Sequence, residues 1–173
     1  MKVSIRQEGT GDRRAVYEIN SRAFGQENEA RLVDRLRDRK AFIPELSLVA
    51  AIGSRLAGHI LFSKIIIADE QHHELESLAL APMAVSPAFQ RKGIGGQLIK
   101  SGLDKARALN YTSVIVLGHE HYYPKFGFVP ADKWNIQSPY NVPANVFMAL
   151  ELVTDGLKGI SGMVRYPEAF GAI

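Results

Sequence analysis

Val85-Ser86-Pro87-Ala88-Phe89-Gln90-Arg91-Lys92-Gly93-Ile94-Gly95-Gly96-Gln97-Leu98 is the stretch on which the reading of this chain turns. An apolar run from Glu76 to Val85 leads into it. Beyond Gly93, residues Ile94, Leu98, Gly102, Ala106 and Leu109 recur along one helical stripe. A strand therefore passes through a glycine-rich turn into a helix. The N-terminus of a helix leaves about four backbone N–H groups unpaired and carries a partial positive charge, and glycine lets an anion approach that backbone. Arg91 and Lys92 add cationic charge at the same point, so the expected guest is a pyrophosphate. A P-loop is excluded, because no Gly-Lys-Ser/Thr follows, and so is the dinucleotide fingerprint, whose three glycines belong to an early strand–helix unit.

Outward from this turn, Val3 and Ile5 alternate with polar neighbours in a short strand from Lys2 to Arg6. Gly9 to Asp12 stops it, and Asp12 is the expected N-cap of a helix reaching Gly25. A second helix starts near Asn28 with Leu32, Val33 and Leu36 on one face. Strands are expected at Leu46–Ile52, Leu56–Ala68 and Glu76–Val85, the last with a bulge or break at Pro82, which cannot donate to a ladder. Thr112–Leu117 is a buried strand. His119–Phe126 is a short helix or turn closed by Gly127, then Phe128-Val129 and Val146–Val153 supply further strands. The tail beyond Gly156 is too apolar to hang free. The expected fold is one mixed α/β domain over residues 1–173, with a mostly antiparallel sheet of about six or seven strands and about four helices. Its core spans about residues 3–153, and 154–173 either packs back on the domain or forms a dimer contact.

Composition bounds the chemistry. The 173 residues are 46% hydrophobic and 23% charged, the balance of a globular domain able to bury its own core. Lys and Arg number 21 against 18 Asp and Glu, and the charges interleave, so nucleic acid is not expected as a partner. The arginine-rich series Arg31, Arg35, Arg37, Arg39 and Lys40 is broken by Asp34 and Asp38 and reads as a solvated face. Cysteine is absent, which removes disulfides, thiolate metal sites and a cysteine nucleophile. No metal is expected at His72-His73 or His119-Glu120-His121, since His-Glu-x-x-His is missing. Met1 to Glu8 carries charges where a signal peptide needs an apolar core, and no run of ~18 apolar residues follows, so the expectation is a cytoplasmic protein without a membrane partner.

Gln90-Arg91-Lys92-Gly93-Ile94-Gly95 resembles the coenzyme A motif of the GNAT superfamily of N-acetyltransferases, Arg/Gln-x-x-Gly-x-Gly/Ala. Leu80–Pro87 is similar to the central strand of that superfamily, and Tyr123-Pro124-Lys125-Phe126-Gly127-Phe128 to its Tyr-x-x-x-Gly-Phe segment. Leu117-Gly118, Tyr122-Tyr123, Val142-Pro143, Phe147-Met148, Gly159, Gly162, Tyr166-Pro167 and Phe170 resemble the bacterial YhbS-like branch. The resemblance spans nearly the whole chain. It implies a splayed sheet and an acetyl-coenzyme A cosubstrate. Backbone groups of Met83, Ala84 and Val85 would hold the pantetheine arm, and amides of Arg91, Lys92, Gly93, Ile94, Gly95 and Gly96 the pyrophosphate, with Gln90 opening the loop. It makes Tyr123 the acid that protonates the leaving thiolate, against the plainer reading of a core tyrosine. The asparagine often found after the fifth strand is replaced here by Gly118-His119.

The implied reaction is acetyl transfer to a primary amine of a small molecule or peptide, by direct attack in a ternary complex. An alkyl ammonium, of pKa near ~10, must first lose a proton. Glu76, His119 and Glu120 are the candidate bases, and no motif selects among them. Tyr17, Phe24, Tyr140, Phe147 and Phe170 are candidates for an aromatic acceptor pocket. The alternative function is a non-catalytic acyl-coenzyme A sensor or regulatory module, and a homodimer is compatible with either reading.

Overall fold

Alternation of apolar side chains builds the central sheet and decides which face each residue serves. In a computed structural model, which describes residues 1–172, β1 (Ser4–Gln7) is followed by α1 (Arg13–Phe24) and α2 (Asn28–Leu36). Three long strands follow, β2 (Phe42–Ile52), β3 (Arg55–Ala68) and β4 (Glu74–Val85), and then α3 (Ile94–Ala108) and β5 (Ser113–Leu117). The two-residue strands β6 (Val129–Pro130) and β7 (Ile136–Gln137) precede β8 (Phe147–Glu151) and β9 (Gly162–Arg165). The order across the sheet is β1-β2-β3-β4-β5-β8-β6, and β9 joins β3 to β7 at the margin. Pairing is antiparallel except for β4 with β5 and β7 with β9.

The expected mixed, mostly antiparallel sheet is present, with nine strands among the described residues because the short β6 and β7 and the tail strand β9 join it. Among the described residues three segments are α-helical, and the expected turn before Gly127 is a 3-10 helix over Tyr123–Phe126. β9 pairs with Ile66–Ala68 of β3, beyond the point where β2 stops covering that edge.

Two cores sit on opposite faces of the sheet, and the period-two pattern divides them. Ile60, Phe62, Leu78, Leu80, Val114 and Val116 point towards α3. Their sequence neighbours Leu61, Ala79 and Ile115 point towards α1, α2 and the tail, where Val16, Leu32, Leu36 and Phe170 complete the second core. No helix among the described residues is long and apolar enough to cross a membrane.

Two expectations need correction. Asp12 does not cap α1 through its side chain; its carboxylate instead accepts hydrogen bonds from Arg6 (2.6 Å) and from the Gly9 amide (2.7 Å), which ties β1 to the chain ahead of α1. The arginine series is not uniformly solvated. The Arg37 side chain is only 6% exposed and pairs with an equally buried Glu8 at 2.5 Å. The reason is a polar chain through the second core: Ser47 donates to Glu8 (3.0 Å), Ser47 Oγ meets His59 Nε2 (3.0 Å), and His59 Nδ1 meets Asn20 Nδ2 (3.2 Å). Because the Ser47 proton goes to Glu8, Ser47 accepts from His59 Nε2–H, and Nδ1 accepts from Asn20. The chain bolts the α1–α2 pair to β1, β2 and β3.

Candidate active site

β4 and β5 are the parallel neighbours at the centre of the sheet, yet they pair only at Leu78 with Val114 and at Ala79 with Ile115. Beyond that point β4 runs on to Val85 without β5, and alternate backbone groups on its open edge are left unpaired. Opposite β3, Ala81 and Pro82 together face Leu61, since the register steps from Ile60–Met83 to Phe62–Leu80; this is the irregularity expected at Pro82. The Ala81–Pro82 bond is cis.

A cleft of about 540 Å³ opens where the two strands part. One wall is β4 from Ala79 to Met83, and the other is Ile115 and Leu117 of β5 with Gly118, His119, Tyr122 and Tyr123 after it. Phe24, Glu29 and Leu32 arrive from α1 and α2, and Tyr140, Tyr166 and Phe170 from the loop before β8 and from the tail.

The start of α3 abuts this cleft. A Cβ on Gly95 would stand 2.9 Å from the Tyr122 hydroxyl and 3.3 Å from Met83 Cε. Before it, Arg91 (φ 63°) and Gly93 (φ 80°) both adopt the left-handed conformation, a geometry that turns successive backbone N–H groups towards one concavity. At Gly93 that conformation costs little, and the place a side chain would fill is open. Arg91, Lys92 and Gly93 are exposed, whereas Ile94 is buried beneath the turn. The Gln90 side chain does not reach outwards: its Nε2 donates to the Val85 carbonyl (3.0 Å) and closes the loop on the end of β4.

Tyr123 stands edge-on to Tyr122 (5.2 Å) and Phe128 (5.7 Å). Burial, and secondarily Tyr122, pushes its hydroxyl up to about 12, so it stays protonated at any ordinary pH. Its ring occupies its place because residue 118 is glycine. A Cβ there would lie 2.4 Å from Tyr123 Cε2, which gives the Gly118 that replaces the expected asparagine a packing role.

The structure brings Tyr123, His119 and Met83 together at the cleft, with the α3 turn beside them. Ala84 and Val85 lie on the same strand just beyond, paired to β3 through His59 and Gly58. Glu76 and Glu120 are not among the cleft-lining residues. Glu76 lies on an exposed stretch of β4 with Lys64, Glu74 and Arg165, and Glu120 lies beside His121. Of the aromatic candidates, Phe24, Tyr140 and Phe170 line the cleft. Tyr17 instead donates to Glu27 (2.9 Å), and Phe147 is buried in the second core. Glu29 and Tyr166 were not singled out as acceptor-side residues. Glu29 had a signal, since it precedes Leu32 and Leu36 by three and seven positions and so shares their inward face. Among the described residues no group of three or more His, Asp or Glu is placed to hold a metal ion.

The family model described as "Acetyltransferase (GNAT) family" matches residues 13–128, which include the α3 turn, the splay and Tyr123. The chain belongs to the GNAT acetyltransferase family. Within that family it is 40% identical over 129 residues to the "uncharacterized N-acetyltransferase YjhQ" of Escherichia coli (strain K12), covering 74% of this chain and 71% of that one. It is 31% identical to the "uncharacterized N-acetyltransferase YhbS" of the same strain over 167 residues, 96% of this chain and 97% of the other. The fold agrees with a crystal structure of the E. coli GNAT protein YhbS in complex with CoA at a TM-score of 0.90 and 29% identity, covering 99% of this chain and 93% of that one. A GNAT acetyltransferase from Brucella melitensis, solved in complex with acetyl-CoA, superimposes at a TM-score of 0.79 with 31% identity over 98% of each chain.

Proposed function

We propose that this GNAT protein transfers an acetyl group from acetyl-coenzyme A to a primary amine by direct attack. The observation that carries this reading is the parting of β4 from β5 after Ala79 and Ile115, with the unpaired N–H end of α3 at the mouth of the gap and Tyr123 inside it. Together these supply an anion cradle, an extended backbone edge for an amide-bearing chain, and a proton donor. The complexes of YhbS with CoA and of the Brucella protein with acetyl-CoA support the choice of ligand.

Amides of residues 91–96 would receive the pyrophosphate, with Arg91 and Lys92 adding charge. The open edge of β4 around Met83, Ala84 and Val85 would pair with the pantetheine amides and offer an N–H to the oxyanion that forms when the amine nitrogen attacks the thioester carbonyl. As the C–S bond breaks, Tyr123 gives its proton to the departing thiolate. Of the three candidate bases His119 is the one that lines the cleft, and we assign it the proton of the incoming ammonium. No enzyme nucleophile is required, which suits a chain without cysteine.

Calorimetric titration with acetyl-coenzyme A tests the reading. One-site saturable binding is expected, lost in Gly93→Glu, which sets bulk and negative charge in the cradle. Absence of heat with the unaltered protein would overturn it. Thiol release on adding amines then separates an enzyme from an acyl-coenzyme A sensor.

A further inference from the structure

The cleft has a charge inventory of its own. Of the residues lining the cleft, Glu29 is the sole acid, and none is lysine or arginine. Its carboxylate accepts two hydrogen bonds from the neutral Gln26 amide (3.0 and 3.1 Å), so its charge is oriented but not neutralised. Phe24 and Leu32 line the same cleft, as do Tyr140, Tyr166 and Phe170, whose rings follow one another at a tilt with centroids 5.3 and 5.1 Å apart. Burial raises the pKa of both tyrosine hydroxyls, so neither contributes a negative charge near neutral pH.

We infer that the acceptor is a cationic amine on an apolar body of aromatic size, free of carboxylate or phosphate, and that Glu29 is the residue that selects it. The inference rests on the acetyl-transfer reading above. An ammonium entering the cleft meets one unneutralised carboxylate and the electron-rich faces of aromatic rings, two environments that favour a cation. A carboxylate on the same acceptor would leave water for a wall that offers no lysine or arginine and holds the like charge of Glu29, with the single imidazole of His119 already engaged by the amine, which is unfavourable. Apolar ring faces reward a hydrocarbon body and give nothing to a hydrophilic one. The site therefore discriminates against free amino acids and for simple arylalkylamines. Glu29 also suits the first turn of α2 as a partner of the helix dipole. That role alone does not account for its place in the lining of a cleft whose other walls are apolar and aromatic.

The test compares three acceptors of one shape: phenethylamine, phenylalaninamide and phenylalanine. Acetyl-coenzyme A binding is measured first on the same preparation by calorimetry, and its failure would remove the parent reading rather than this one. With binding established, thiol release should give a kcat/KM for phenethylamine at least about tenfold above that for phenylalanine. Phenylalaninamide, which keeps the added substituent but not its charge, should behave like phenethylamine. In Glu29→Gln the preference for phenethylamine over phenylalanine should fall by about tenfold while acetyl-coenzyme A affinity stays unchanged. A protein that binds acetyl-coenzyme A yet accepts phenylalanine as readily as phenethylamine would overturn the inference. So would one that accepts none of the three, one that treats the amide as poorly as the acid, or a Glu29→Gln variant with unaltered preference. The comparison with the unaltered protein needs no variant to fold.

Discussion

Tyr123 and Gly118 act as a pair, because the ring of one occupies the space that the other lacks. Tyr123→Phe removes the hydroxyl proposed as proton donor and keeps the ring, so turnover should fall by about 10²–10⁴-fold with acetyl-coenzyme A affinity nearly intact. Gly118→Ala keeps the hydroxyl but drives a methyl into the ring, and steady-state kinetics should show a loss of kcat in the same direction. A full rate from Tyr123→Phe would place the proton donor elsewhere, and a full rate from Gly118→Ala would show that the ring's exact seat does not matter. The place of Tyr123 at the cleft was legible because Tyr-x-x-x-Gly-Phe is a compact, local pattern closed by Gly127 in the left-handed conformation (φ 98°). Glu29 was less so. A carboxylate in the first turn of a helix reads first as a partner of the helix dipole, and only the Leu32 and Leu36 strip hints that it points inwards. Tyr166 was seen as part of the tail, since nothing in its neighbourhood says that the tail crosses the sheet to reach Tyr140.

Strands and helices follow the same logic. The passage from β4 through the glycine turn into α3 was readable because its determinants, a period of two, two glycines and a period of 3.6, are contiguous in sequence. The polar chain from Arg37 to Asn20 was not, because it joins five elements whose partners lie 12 to 39 positions apart. Its consequence is a pH dependence of stability. Burial, and then the nearby Arg37 charge, pulls the His59 pKa down to about 3. An unfolded histidine takes up its proton near pH 6.5, so between those values the unfolded chain binds more protons, and stability is lost as pH falls. Between pH 7 and pH 5 the loss from His59 is about 2 kcal/mol, or roughly 4–8 °C in Tm for a chain of this size. Thermal melts at both pH values should show it. In His59→Gln, which hydrogen-bonds without titrating, the difference between the two pH values should shrink; an undiminished difference would assign the loss to other groups.

Taken together, the fold is two apolar layers sharing a sheet that is incomplete at its centre. Interleaved apolar runs announced the sheet, whereas the parting of β4 from β5 was expected only from the family resemblance, because divergence of neighbours is a property of pairing rather than of either strand's sequence. The apolar runs did not announce β9 either, three of whose four residues pair with β3 almost a hundred positions away in the chain. The gap bears on how the molecule breathes. Amides along the open edge of β4 have no ladder partner, so in the free protein they exchange with solvent deuterium far faster than the β3-facing amides of the same strand. A ligand that pairs with that edge serves as a temporary strand: hydrogen exchange between Leu80 and Val85 should slow sharply when acetyl-coenzyme A is added, while β1 and β2 hardly respond. Unchanged exchange in β4 at saturating ligand would mean that the arm binds elsewhere. On this view the ligand serves as the missing stretch of sheet where β4 and β5 part.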